Sequence, residues 1–143
     1  MSYYMRFFIE GDRVPSDEDL VELFDEAGAG FKLSDGVLFR DAEDFAVIEV
    51  NRRGEELFDD EIREFRESLA EVPDGPGKAR VARCLDAAGA VVAVQVLFGG
   101  RDADETLEAL DPLWDTLFAD YGGLMQADAE GFYDADDQVL ELD

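Results

Sequence analysis

Apolar residues recur along the chain in two rhythms, and the switching between them predicts most of the architecture. Residues 3–9 are apolar except for Arg6, as expected of a mostly buried first strand. Pro15-Ser16 then opens a helix. Ser16 is its cap, Asp19 stands at the capping-box position, and Leu20, Leu23, Phe24 and Ala27 share one face before Gly28 and Gly30 end it. Residues 31–33 and 37–40 flank Ser34-Asp35-Gly36, a short loop with glycine where a left-handed residue is needed, so they should pair as a hairpin. Residues 45–50 form a further strand.

A second helix is expected over residues 55–70, with Phe58, Ile62, Phe65 and Leu69 as its seam and Arg63 placed to pair with Asp59 and Glu67. Val72-Pro73-Asp74-Gly75-Pro76-Gly77 breaks it. A short third helix over residues 77–88 turns Val81, Cys84, Leu85 and Ala88 inward. Residues 90–98, AVVAVQVLF, read as a central strand covered on both faces. Asp102 and Glu105 start a fourth helix with Leu107, Leu110, Trp114, Leu117 and Phe118 as its apolar face, which Pro112 either kinks or restarts. Short strands at 124–127, 131–134 and 138–142 follow.

This order predicts an α+β fold: a mixed, largely antiparallel sheet with about four helices packed on it, in one domain spanning residues 1–143. Residues 3–50 and 90–142 repeat a β-α-β-β-β sequence of elements, a rhyme that raises the prospect of two similar halves. At this length a single core suffices.

Charge changes the picture more than any motif does. The chain has 37 acids against 12 bases, a net charge of −25, and residues 102–143 hold ten Asp and four Glu with no Lys or Arg. Such a field repels nucleic acids and anionic lipid and attracts cations and basic proteins. In the fourth helix, Asp104, Glu108, Asp111 and Asp115 recur at spacings of four, three and four, which sets them in one stripe opposite the apolar seam. The leading expectation is a non-enzymatic acidic binding protein that occupies a basic surface on a protein partner, as an inhibitor, an immunity-type module or a nucleic-acid mimic. Two alternatives stand beside it. The acidity could be adaptation to high salt, or the chain could be a carboxylate- or divalent-metal-dependent enzyme.

Catalysis has little to build on. The chain lacks histidine, which excludes Ser-His and Cys-His nucleophilic schemes and His-based metal sites. Its four serines, Ser2, Ser16, Ser34 and Ser68, read as terminus, cap, turn and helix surface. The single cysteine, Cys84, is expected as a buried thiol. Asp128, Glu130, Asp134, Asp136 and Asp137 are the candidate ligands for Ca²⁺ or Mg²⁺, although Val139 stands where a calcium loop needs glycine. Turn residues at the ends of strands are the alternative for these acids. Arg101, Trp114, Gln126, Asp128 and Tyr133 are the candidates for a concave site. Gly99-Gly100-Arg101 and Gly75-Pro76-Gly77-Lys78-Ala79-Arg80 set amides and cations near helix starts, yet neither has nucleotide-loop spacing. No apolar run approaches a membrane span, and a cytoplasmic location is expected.

Overall fold

A computed structural model describes residues 3–142, so Ser2 lies outside the described residues. The elements are β1 (Tyr3–Glu10), α1 (Asp17–Glu26), β2 (Lys32–Ser34), β3 (Val37–Arg40), β4 (Glu43–Arg52), α2 (Glu56–Ala70), α3 (Pro76–Ala87), β5 (Ala88–Val96), α4 (Ala103–Asp120), β6 (Gly123–Ala127), β7 (Gly131–Tyr133) and β8 (Gln138–Glu141). The strands form one sheet in the order β2-β3-β4-β5-β1-β6-β7-β8, and every ladder among them is antiparallel. The fold is α+β with four helices, as the element pattern predicts.

Local chemistry accounts for the ends of the elements. The Ser16 hydroxyl accepts the Asp19 N–H at 3.1 Å while the Asp19 carboxylate accepts the Ser16 N–H at 2.9 Å, a reciprocal capping box. The β2–β3 turn places both Asp35 and Gly36 at positive φ, the geometry of a two-residue hairpin loop. Helix α4 runs unbroken through Pro112, and the Thr116 hydroxyl donates to the Pro112 carbonyl at 2.7 Å. Its buried face is Thr106, Leu110, Leu113, Trp114 and Leu117. The face is thus turned slightly from the expected one, because Leu107 and Phe118 sit at its half-buried margins.

Strand parity divides the interior into two layers. Met5, Phe7 and Ile9 of β1 join Val92, Val94 and Ile48 beneath α1 and α4, whereas Phe8 joins Val91, Leu124 and Phe132 beneath α2 and α3. The sheet is therefore covered by helices on both faces at its centre. Phe8, Phe65 and Phe132 form a triangle with ring centroids 5.5 to 5.7 Å apart. Gly123 is required where β6 begins its pairing with β1, because a Cβ there would lie 1.8 Å from the Phe8 carbonyl oxygen.

The rhyme between the two halves is not a repeat in space. After α1 the first strand, β2, takes the outer edge of the sheet, whereas after α4 the first strand, β6, pairs directly with β1. The two meanders therefore run in opposite directions relative to the central pair β1–β5.

Candidate functional site

The two helical layers differ sharply in charge. α1 carries six acids and α4 carries six, all exposed, and neither helix has a base. On the opposite face α2 sets six acids against two bases, and α3 one acid against three. Among the described residues, only Asp25 of the α1/α4 acids forms an ion pair, with Lys32 at 2.7 Å. The asymmetry follows from the stripes of each helix: the apolar seam is spent on the sheet, so the outer face, whose charged residues are all Asp and Glu, meets solvent.

The predicted stripe of Asp104, Glu108, Asp111 and Asp115 lies on this outer face. Asp111 and Asp115 also form one wall of a groove of about 360 Å³, whose other wall is the β7–β8 loop with Asp134, Asp136 and Asp137. Trp114, Phe118 and Tyr133 lie along it, and no base lines it. Partial burial, followed by the charges of Asp115 and Glu108, raises the Asp111 carboxyl above its ordinary value. Asp134 shifts the other way. It accepts the N–H groups of Asp137 at 2.7 Å and Asp136 at 2.8 Å, which lowers its pKa and keeps it charged. The Trp114 indole N–H is buried without a hydrogen-bond partner.

The five residues expected to make a concave site do not converge. Trp114 and Tyr133 share the acidic groove, but Gln126 and Asp128 lie on the α2/α3 face of the sheet. Arg101 is at a third place, the β5–α4 corner. Its guanidinium lies 3.8 Å from the centre of the Phe45 ring and donates to the carbonyls of Leu97 at 2.6 Å and Asp44 at 3.0 Å, so it staples that corner to β4. Period-two alternation separates the set: Tyr133 pairs with Met125, one residue along β6 from Gln126, and the side chains alternate between faces.

Gln126 and Asp128 belong to a network that the sequence pattern does not reveal. Arg6, on the central strand, donates to Glu61 of α2, to Gln126 at 2.8 Å and to Asp128 at 3.0 Å. Asn51 donates to the same Glu61 at 3.3 Å, and the Tyr4 N–H donates to Asp128 at 2.9 Å. The one signal was Arg6 itself, a lone cation in an otherwise apolar strand.

The same contacts engage several of the candidate metal ligands. Among the described residues, no three of the Asp, Glu and Cys side chains gather as a metal-holding group. Asp128 is occupied by Arg6 and Tyr4, Glu130 accepts the hydroxyls of Tyr3 at 2.6 Å and Tyr133 at 2.8 Å, and Asp134 closes its own turn on the N–H groups of Asp136 and Asp137. The glycine cradles are committed as well. A Cβ at Gly77 would lie 2.4 Å from the Val139 carbonyl oxygen, Lys78 donates to the Val72 carbonyl at 2.8 Å, and Arg80 pairs with Glu10 at 2.6 Å. Cys84 is buried and its thiol is pushed up to about 12 by desolvation first and by Glu10 second, which removes it as a nucleophile at neutral pH. Among the described residues, no helix is long and apolar enough to cross a membrane. In comparisons with protein-family models, curated proteins and solved structures, the chain matches none.

Proposed function

We propose that this chain is a non-enzymatic binding protein that docks its anionic α1/α4 layer, with the adjoining β7–β8 groove, on a basic surface of a protein partner. The observation that carries the reading is that neither helix carries a base: the charged residues that both expose are all acids, and they stand beside a groove walled by five aspartates. Phe118 and Tyr133 suit the aliphatic stem and cationic head of a lysine or arginine, which the aspartates would then pair. An inhibitor, an immunity-type protein or a mimic of a phosphate backbone would each use such a face. Electrostatic steering would speed encounter at low ionic strength and fade as salt screens it.

The test is a pull-down from the source lysate at low and at molar KCl, with the native protein and with a variant carrying Asp104→Lys, Glu108→Lys, Asp111→Lys and Asp115→Lys. The expected result is a basic partner retained by the native protein at low salt and lost by the variant. A partner held equally by both would overturn the reading.

A second reading has its own support. The α1 acids lie away from the groove and, apart from Asp25, form no ion pair among the described residues, as general solvation of a protein in high salt would require. It expects the unfolding midpoint to rise steeply between dilute and molar KCl with no partner in either; a midpoint indifferent to salt would remove its basis.

A further inference from the structure

The sheet has an open backbone edge beside a groove. Leu97 N–H bonds the Phe45 carbonyl at 2.8 Å and Arg53 N–H bonds the Gly89 carbonyl at 3.0 Å, so the odd-numbered residues of β4 turn their backbone groups to β5. Even-numbered residues therefore face β3. The Ile48 N–H bonds the Gly36 carbonyl at 2.7 Å, but there β3 runs out, since its ladder with β4 starts at Val37 and Val47. Two residues further on, the Val50 N–H and C=O point past the turn and have no partner among the described residues. Beyond it the edge closes again: Arg52 N–H donates to the Glu55 carboxylate at 2.5 Å, and Glu55 N–H to the Arg52 carbonyl at 3.0 Å.

The groove over this gap holds about 590 Å³ and is bounded by α1, the β2–β3 turn, β4 and the start of α2. The two large hydrophobic residues exposed elsewhere than in a core, Val21 at 43% and Leu57 at 59%, both line it. Asp17, Asp35 and Glu49 also line it against one base, Arg52, which donates to the Pro15 carbonyl at 3.3 Å.

We propose that this groove takes an extended basic segment of a protein partner, which adds a short strand to β4 by exchanging two hydrogen bonds with Val50. In an antiparallel bridge the residue opposite Val50 turns its side chain to the α1 face, where an apolar group meets Val21 and Leu33. Its neighbours turn to the other face, beside Glu49, so the matching pattern is an apolar residue between lysines or arginines. The four β4 residues from Glu49 to Arg52 span roughly 13 Å, room for three or four residues of the segment. A second copy of this chain is the wrong occupant, because each copy carries the same strong negative charge. The inference rests on the proposed function for the basic character of the partner, but it concerns a different surface.

The probe is the pentapeptide acetyl-Lys-Lys-Val-Lys-Lys-amide, titrated into isotope-labelled protein in about 0.1 M KCl and followed by amide chemical shifts and hydrogen exchange. The expected result is a shift at Val21, Val50 and Leu57 with slowed exchange of the Val50 amide. N-methylation of the peptide valine should weaken this response about fivefold to tenfold, the worth of one hydrogen bond. Leu57→Lys, at an exposed position, should weaken it by a similar factor. Shifts confined to the α4 groove would overturn this inference and leave the anionic reading standing, and no binding anywhere would defeat both. An unchanged response to the methylated peptide, or Val50 shifts that follow protein concentration without peptide, would also overturn it.

Discussion

Asp111 sits where stability and binding pull in opposite directions, and replacing it with asparagine separates the two. Its carboxylate has Glu108 one turn before it and Asp115 one turn after it, no base beside it, and no hydrogen bond among the described residues. A like-charge pair at these helical spacings destabilises by roughly 0.2–0.5 kcal/mol, so relief of two such pairs should stabilise the protein by about 0.4–1 kcal/mol. Aspartate and asparagine have similar helix propensities, so the exchange itself adds little. For a chain of this length the gain corresponds to about 1–3 °C in midpoint. Neighbouring carboxylates lie roughly 5–6 Å apart, inside the Debye length of about 10 Å at 0.1 M salt and outside that of about 3 Å at 1 M. The gain should therefore be present in dilute buffer and nearly absent in molar KCl. The pH dependence has a definite sign. Because folding raises the Asp111 pKa, the folded chain holds that proton more tightly than the unfolded chain, so its ionisation weakens the native protein as pH rises through the folded pKa. The advantage of Asp111→Asn should be full at neutral pH and vanish below the ordinary carboxylate range. Thermal unfolding of both proteins at two salt concentrations and two pH values measures it. An equal gain in molar KCl, or a loss at neutral pH in dilute buffer, would refute the reasoning, and the same variant should hold its basic partner less well.

Arg6→Met should destabilise by about 2–4 kcal/mol, because Glu61 is left largely buried without its cation, and Arg6→Met combined with Glu61→Met should recover most of the loss; denaturant titration of the single and double variants decides this. Gly123→Ala should cost about 3 kcal/mol or more, because its Cβ would meet the Phe8 carbonyl, while Gly54→Ala, with nothing within 4 Å, should cost only the roughly 1 kcal/mol of its positive φ; similar losses at both sites would contradict the close approach of β6 to β1 at Gly123. The Cys84 thiol should stay unmodified by a thiol reagent at mildly alkaline pH and react fully in denaturant, and rapid stoichiometric labelling of the native protein would show that its burial is wrongly described.

Local order was legible wherever one residue type answers one local need. Ser16 and Asp19 announced a capping box, Asp35-Gly36 a tight hairpin, and the spacing of Phe58, Ile62 and Leu69 the seam of α2. The acidic stripe of α4 could be read for the same reason, since helical spacing alone places Asp104, Glu108, Asp111 and Asp115 on one side. Side-chain period and turn chemistry act over a few residues, and those distances are written directly in the order of the chain. Whether two elements share a face is not written there. That α1 lies beside α4 and leaves the bases to α2 and α3 depends on which strand pairs with which, and so does the junction of Asp111 with Asp134 across the acidic groove. Arg6 meets Gln126 and Asp128 only because β6 enters the sheet against β1, and Val50 is left open only because β3 is shorter than β4. Pairings of this kind, which in the case of Arg6 and Gln126 join residues 120 positions apart, are selected by the total burial of two apolar layers, a quantity that belongs to the assembled molecule and to no segment of it.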